Sequence, residues 1–121
     1  RGRARYGAYS ASKHAVIGLT ECLALELAQH RITVNAICPG VVDTERIGHI
    51  AAALRVDAPS QGSREEFMRA RDTPLGRVGE PEDVANVAAF LASAESDFLT
   101  GLAVTVAGGA HLVGVDHARE P

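Results

Sequence analysis

The chain has 121 residues, of which 46% are apolar and 22% are charged, and its formal net charge is −3 at pH 7. This length fits one domain or part of one, and the apolar content is ordinary for a globular protein. The negative charge argues against a general nucleic-acid binder, and no apolar run approaches the ~20 residues that a membrane-spanning helix needs.

The cysteines and the first residues of the chain bear on where in the cell the protein is located. Cys22 and Cys38 are the only cysteines, and they lie in apolar segments, which does not indicate a disulfide framework or a metal site. The basic first residues are not followed by the apolar core and cleavage site of a signal peptide. We therefore expect a cytoplasmic protein with no metal, no nucleic-acid partner and no membrane partner.

The first predicted element is a helix from about Tyr9 to Gln29. Tyr9 and Lys13 are four residues apart, so they share one face of this helix. A free phenol titrates near pH ~10, and an adjacent ammonium together with the positive end of the helix dipole lowers that pKa. Lys13 is also the only lysine, because every other basic residue is an arginine or a histidine. The pair predicts a tuned acid/base; the alternative is a tyrosine ring in the core and a solvated lysine.

Two apolar stripes run along the same helix. The stripe of large side chains contains Val16, Leu19, Leu23 and Leu27, and the stripe of small ones contains Ala11, Ala15, Gly18 and Cys22. Glycine inside a helix costs up to ~1 kcal/mol against alanine, so Gly18 is predicted to allow close approach of another backbone. A helix that is apolar on two sides is usually covered on both. We expect the sheet of its own domain on one side and a second subunit on the other.

A strand and a long excursion follow. The β-branched, apolar run Arg31–Cys38 predicts a strand, and the segment after it leaves the carboxyl end, where ligands bind in open α/β sheets. Residues 45–79 then contain two predicted short helices, Glu45–Leu54 and Ser63–Arg71. A long insertion beside a carboxyl end indicates a substrate loop or lid, with a mobile surface loop as the alternative.

The remaining predicted elements are a second helix and a second strand. Glu80 to Asp83 has the proline and acidic residues of a helix start, and Leu102–Val106 predicts a second strand that ends at two glycines. A strand, a helical crossover and a second strand predict a parallel pair with a right-handed connection. Two strands are too few to cover two apolar helices. The fold class is therefore α/β, and the pattern is that of the carboxyl-terminal part of a doubly wound parallel sheet.

Four segments carry a resemblance to a known family. They are Tyr9-x-x-x-Lys13, Asn35–Thr44, Pro74–Ala85, and Thr100-Gly101 with Val106–Gly109. In this order they resemble the short-chain dehydrogenase/reductase family, and the likeness covers about residues 6 to 112. A Tyr-x-x-x-Lys pattern alone is a weak signal, whereas four segments in register are a specific one.

The resemblance implies a fold and a reaction. The fold is of the Rossmann type, and residues 1–121 would be a single partial domain, its carboxyl-terminal half. The reaction is hydride transfer between NAD or NADP and a small-molecule alcohol or carbonyl substrate. Tyr9 would exchange a proton with the substrate oxygen and lie against the cofactor. Lys13 would lower the pKa of Tyr9 and bind the nicotinamide ribose hydroxyls.

Further roles follow from the same resemblance. The residues that would border the nicotinamide ring and its carboxamide are Pro39, Gly40, Val42 and Thr44. Residues 45–79 would form the substrate loop. The stripe of small side chains would fit the family's helix-to-helix contact, which implies a homo-oligomer that forms through the 9–29 helix.

Other parts that this family uses have no counterpart in the sequence. They are the glycine-rich turn that takes the pyrophosphate, the residue that selects NAD or NADP, and the catalytic serine and asparagine. The chain starts at Arg1 and its only methionine is Met68, so we expect the carboxyl half of an oxidoreductase. The alternative is a short non-catalytic chain that acts only through helix-mediated association with a full-length relative. Glycine-rich sequence directly upstream in the same reading frame would favour the first of these.

Overall fold

The structure is a computed structural model that describes residues 6–47, 49 and 73–113. In chain order its elements are helix α1 (Gly7–Leu27), a 3-10 turn (Ala28–His30), strand β1 (Ala36–Pro39), helix α2 (Pro81–Leu91), a second 3-10 turn (Ala94–Ser96) and strand β2 (Ala103–Val106). Both predicted long helices and both predicted strands are present, although β1 is shorter than expected. No helix among these residues is long and apolar enough to cross a membrane.

The two strands form one parallel sheet. β1 and β2 are neighbours in the sheet. The Ala36 N–H donates to the Leu102 carbonyl at 2.8 Å, and the Gly40 N–H donates to the Val106 carbonyl at 2.9 Å. The residue numbers rise by four on both strands between these two bonds, so the strands run in the same direction. The predicted α/β class with a parallel pair is confirmed.

The described residues cluster into two compact units. The first contains the described parts of 1–38 and 85–105, and the second contains those of 39–84 and 106–121. The first unit holds α1 and the turn before β2. The second holds the segment after β1, the segment before α2 and the turn after β2.

In the first unit, α1 buries a face of small side chains. Thr20 and Ala24 are buried, whereas Val16 and Leu19 are 52% and 57% exposed. A Cβ built on Gly101 would lie 3.5 Å from the Ala24 Cβ, so the backbone of this turn comes close to the helix. A large side chain has no room at such a contact. Val16 and Leu19 of the large stripe are therefore not covered by the described residues.

Strand β1 begins five residues later than predicted. The Val34 N–H donates to the Thr100 hydroxyl oxygen at 3.0 Å, and the Gly101 N–H donates to the Val34 carbonyl at 2.7 Å. The Asn35 side-chain amide donates to the Leu99 carbonyl at 2.8 Å, and its oxygen accepts from the Leu102 N–H at 3.1 Å. This segment therefore binds the turn at 99–102 before it pairs as a strand.

Replacing Asn35 with Ala is expected to lower the free energy of unfolding by about 1–3 kcal/mol, because two hydrogen bonds of a half-buried amide are lost. Urea unfolding of the protein expressed from its complete reading frame measures this. Asn86→Ala is the control, since Asn86 is exposed on α2 and its substitution should change stability by less than about 0.5 kcal/mol. Equal losses of unfolding free energy in the two variants would show that the hydrogen bonds from the Asn35 side chain to the turn at 99–102 do not stabilise the protein.

Only part of the predicted substrate loop falls within the described residues. Residues 45–47 are helical, as expected for the start of the predicted helix Glu45–Leu54. The predicted helix Ser63–Arg71 lies outside the described residues. Residues 73–80 are described, and they lead directly into α2, whose first turn contains Glu82 and Asp83 as predicted.

Candidate active site

Two of the predicted site residues lie near the start of α1, in the first unit. The helix begins at Gly7, and the Ser10 N–H donates to the Tyr6 carbonyl at 2.7 Å. Tyr9 is the third residue of the helix, so it lies where the unsatisfied N–H groups give the helix end a partial positive charge. The first turn contains no acidic residue that would offset this charge.

Tyr9 and Lys13 lie one helical turn apart and are neighbours on the helix surface, as their spacing predicts. The Lys13 Nζ lies 5.5 Å from the centroid of the Tyr9 ring, within range of a cation–π contact. Tyr9 is 51% exposed, and Lys13 is exposed as well. The alternative of a tyrosine ring buried in the core is therefore wrong for the described chain.

Tyr6 is a third member of this cluster that sequence reasoning missed. Its ring meets the Tyr9 ring edge to face, with centroids 6.0 Å apart and planes at 89°. This is a favoured aromatic geometry. The available signal was the spacing of three residues between two aromatics at a helix start, which brings side chains together once the helix forms.

Nearby polar side chains bind the helix backbone and leave the Tyr9–Lys13 pair available. The Ser12 hydroxyl donates to the Tyr9 carbonyl at 2.8 Å. The His14 Nδ1 lies 2.8 Å from the Ser10 carbonyl oxygen, which as an acceptor requires the proton on Nδ1. Within residues 6–47, 49 and 73–113, no side chain hydrogen-bonds the Tyr9 hydroxyl or forms an ion pair with Lys13.

A second group of predicted site residues follows β1 and belongs to the second unit. Gly40 approaches Ala107 so closely that a Cβ built on Gly40 would lie 2.9 Å from the Ala107 Cβ. Only glycine fits this approach without a shift of the backbone. Pro39 ends β1, and Thr44 is exposed at the start of the helical residues 45–47. These predicted cofactor-binding residues thus form one continuous segment with a tightly packed glycine.

The main chain around Val42 is hydrogen-bonded to Gly79 on one side. Val42 forms a parallel bridge with Gly79, in which the Gly79 N–H donates to the Val41 carbonyl at 3.2 Å and the Asp43 N–H donates to the Gly79 carbonyl at 2.8 Å. In such a bridge the N–H and carbonyl of the middle residue point away from the partner. Among the described residues, neither group of Val42 has a hydrogen-bond partner. Val42 therefore presents one donor and one acceptor side by side.

An ion pair closes the segment that contains Gly79. Arg77 binds Asp83 through both of its terminal nitrogens, each 2.7 Å from a different carboxylate oxygen. The Glu80 N–H also donates to Asp83 Oδ2 at 2.8 Å. The hydrogen bonds from Arg77, and then the one from Glu80, hold the pKa of the Asp83 carboxyl well below its usual range.

This depressed pKa predicts a small acid-labile contribution to stability, small because the Arg77 and Asp83 side chains are solvent-exposed. The unfolded chain protonates Asp83 near pH ~3.9, whereas the folded chain does so only at lower pH. The stabilisation is therefore present above this range and is lost as the pH falls through it toward the folded-state pKa. Asp83→Asn should flatten the decline of the urea midpoint below about pH 4. An equally steep acid decline in this variant would contradict the assignment.

The described residues contain no group of three His, Cys, Asp or Glu side chains that could hold a metal ion. Cys22 and Cys38 are free thiols. The predicted site residues that the structure describes contribute a phenol, an ammonium and main-chain groups.

Comparison with known proteins identifies the group to which this arrangement belongs. A family model described as enoyl-(acyl carrier protein) reductase matches residues 1–111. An (S)-acetoin-forming diacetyl reductase of Staphylococcus aureus is 45% identical over 103 residues, which are 84% of this chain and 39% of that protein. The chain thus spans about two fifths of the length of this relative.

Solved structures show the same similarity. A short-chain dehydrogenase family protein from Francisella tularensis superimposes with a TM-score of 0.83 at 32% identity, over 93% of this chain and 46% of that one. A 4-hydroxyisoleucine dehydrogenase complexed with NADH superimposes with a TM-score of 0.65 at 33% identity, over 89% of this chain and 40% of that one. The predicted resemblance and the Rossmann-type fold are confirmed. The chain belongs to the short-chain dehydrogenase/reductase family.

Proposed function

We propose that the protein is an oxidoreductase that transfers hydride between a nicotinamide cofactor and an alcohol or carbonyl substrate. The observation that carries this proposal is the exposed Tyr9–Lys13 pair in the first two turns of α1, with the ammonium 5.5 Å from the ring centroid. Membership of a dehydrogenase/reductase family supports it. Because the chain spans about two fifths of its relative, the activity is proposed for the protein that contains this chain.

Tyr9 and Lys13 have complementary roles in this reaction. As a carbonyl is reduced, negative charge develops on its oxygen, and the Tyr9 hydroxyl donates a proton to that oxygen. In the reverse direction the phenolate accepts the proton of an alcohol. The Lys13 ammonium and the helix N-terminus favour the negative charge at this position. Lys13 also has three N–H donors with which it can bind ribose hydroxyls.

The segment after β1 fits a nicotinamide carboxamide. A carboxamide offers one carbonyl acceptor and an NH₂ donor group, and Val42 presents a main-chain N–H and carbonyl on its side away from Gly79. Pro39, Gly40 and Thr44 would border the ring. When bound, NADH or NADPH would supply the hydride for reduction, and the oxidised cofactor would accept it in the reverse direction. The protein would orient the reactants and provide the electrostatic environment. A relative of known structure binds NADH, which supports this cofactor class.

The first test is a cofactor assay on the protein expressed from its complete reading frame. Oxidation of NADH and of NADPH is followed with a vicinal diketone, the substrate class of the diacetyl reductase relative, and with a simple ketone. Turnover with either cofactor supports the proposed function. Absence of turnover, together with absence of NADH and NADPH binding by fluorescence titration, would contradict it.

We further propose that the protein forms a homo-oligomer through α1. Val16 and Leu19 are about half exposed, and Leu25 is 82% exposed. The small stripe lies beside them, and a Cβ built on Gly18 would meet nothing within 4 Å among the described residues. These surfaces leave room for a helix of a second copy. The free thiols of Cys22 and Cys38 fit a reducing cytoplasm, which we propose as the location.

Replacing Gly18 with Leu is expected to weaken this association by about tenfold or more, because four added carbons would occupy the space of the facing helix. Analytical ultracentrifugation measures the dissociation constant, and circular dichroism checks that the helix is retained. Gly18→Ala, which adds a single carbon, should have a smaller effect in the same direction. Unchanged association of the Leu variant would exclude Gly18 from the interface.

A further inference from the structure

We propose that the Arg77–Asp83 ion pair is a positioning element for the cofactor-binding segment after β1. The pair holds the loop that carries Gly79, and Gly79 holds the main chain on both sides of Val42. The inference rests on the proposed function, because the role of Val42 toward the cofactor is part of that function. Neither Arg77 nor Asp83 would touch the cofactor.

The ion pair closes the loop onto the first turn of α2. The two parallel hydrogen bonds of 2.7 Å use the planar fork of the guanidinium, which defines the orientation as well as the distance of the two groups. Asp83 Oδ2 accepts from the Glu80 N–H at the same time. Arg77 Nη1 also donates to the Val78 carbonyl at 3.1 Å. Residues 78–80 are therefore enclosed between the two charged residues.

Gly79 transmits this restraint to the segment after β1. Its N–H and its carbonyl are both used, the first on Val41 and the second on Asp43. A Cβ on Gly79 would lie 3.1 Å from the Val41 carbonyl oxygen and 3.8 Å from Asp83 Oδ2. Gly79 is thus hydrogen-bonded to the segment, and an added Cβ would crowd the Val41 carbonyl oxygen and reach van der Waals distance of Asp83. A displacement of Gly79 would turn the donor and acceptor of Val42 away from their present direction.

The other end of the loop is fixed independently. The Thr73 hydroxyl donates to the Arg77 carbonyl at 2.9 Å, and the Gly76 N–H donates to the Thr73 carbonyl at 2.8 Å. Thr73 is itself buried, at 8% exposure, against Gly108 in the turn after β2. The Arg77 backbone is therefore fixed to buried structure, and its side chain transfers that restraint to Asp83.

Stability of the whole fold does not explain this pair. The Arg77 and Asp83 side chains are 55% and 32% exposed. Ion pairs at such exposure add little to the global free energy of unfolding. The pair instead restrains the short loop between Arg77 and Asp83, through its two parallel hydrogen bonds and the bond from the Glu80 N–H to Asp83. That loop contacts the segment that borders the proposed cofactor, so the local restraint acts on binding.

The test compares Asp83→Asn with Glu82→Gln in the protein expressed from its complete reading frame. Both substitutions remove one negative charge from the first turn of α2, but only the first breaks the pair with Arg77. The measurements are the amide exchange rates of Gly79 and Asp43, the dissociation constants of NADH and NADPH by fluorescence titration, and the thermal midpoint. Arg77→Lys, which keeps the charge and loses the fork, completes the set.

We expect Asp83→Asn to accelerate exchange of the Gly79 and Asp43 amides and to raise the cofactor dissociation constant by about threefold to tenfold. Its kcat at saturating cofactor should stay within about twofold of the unsubstituted protein, because the proton-transfer groups are untouched. Arg77→Lys should give an intermediate effect, and Glu82→Gln should leave both quantities unchanged.

Two results would overturn the inference. One is exchange and cofactor affinity in Asp83→Asn equal to those of the unsubstituted protein. The other is a lower thermal midpoint with unchanged affinity, which would mean a purely structural pair. Failure of the unsubstituted protein to bind NADH or NADPH would overturn the proposed function instead. The exchange rates would then still decide whether the pair holds the segment after β1.

Discussion

Replacing Tyr9 with Phe is expected to lower kcat by about 10²–10⁴-fold, the range that general acid–base catalysis contributes. The substitution keeps the ring that lies near Lys13 and removes only the hydroxyl that would exchange a proton with the substrate oxygen. The dissociation constant of the cofactor should change much less, because Lys13 and the main-chain groups of Val42 remain. Steady-state kinetics and fluorescence titration on the protein from its complete reading frame measure the two quantities.

Tyr6→Phe is the matched control for this experiment. It removes a phenolic hydroxyl three residues away and keeps the edge-to-face ring contact with Tyr9. Its kcat should stay within about threefold of that of the unsubstituted protein. Near-normal turnover of Tyr9→Phe would overturn the assignment of Tyr9 as the acid/base. Equal losses in the two variants would mean that both hydroxyls act through the local structure of the helix start.

Replacing Gly108 with Ala is expected to cost about 2–4 kcal/mol of unfolding free energy, the largest stability effect that we predict. Gly108 has a φ of +53°, in the left-handed region, and its added Cβ would lie 2.5 Å from the Thr73 hydroxyl oxygen and 2.8 Å from the Thr73 Cβ. Thr73 is buried and bonded to Arg77, so it cannot move away without breaking that hydrogen bond. Urea unfolding measures the loss.

Gly76→Ala separates backbone strain from crowding in this prediction. Gly76 also has a positive φ, of +80°, but a Cβ built on it would meet none of the described residues within 4 Å. Its substitution should cost only the left-handed penalty of about 1–2 kcal/mol. A loss in Gly108→Ala no greater than that in Gly76→Ala would show that the contact with Thr73 is not tight in solution.

The helices, the strands and the Tyr9–Lys13 pair could be predicted from the sequence because each depends on short-range rules. A spacing of four residues places two side chains on one helix face wherever the helix lies. Proline followed by acidic residues begins α2, and paired glycines follow β2. Tyr6 follows the same logic at a spacing of three and could have been found.

The start of β1 and the buried face of α1 could not be predicted in this way. Whether Val34 pairs as a strand depends on the turn at 99–102, whose hydrogen bonds reach it across more than 60 residues of sequence. Ala24 is buried where the backbone at Gly101 comes close to it, whereas the more apolar Val16 and Leu19 are about half exposed. Helical periodicity shows which face of a helix is the most apolar. It does not show which other segment of the chain packs against that face.

From the sequence alone, the family could be identified by the resemblance of four segments, and the α/β class by spacing and breakers, because these are local patterns. The assignment of Tyr9 and Lys13 to proton transfer stays a prediction. Only the tertiary structure showed that Gly79 is hydrogen-bonded to the residues before and after Val42. It also showed that the Arg77–Asp83 ion pair closes the loop that contains Gly79. Residues 77 and 83 lie on either side of a helix start, so no helical or strand period relates them. Their contact depends on the path of the loop between them, and packing against Thr73 and Val41 sets that path.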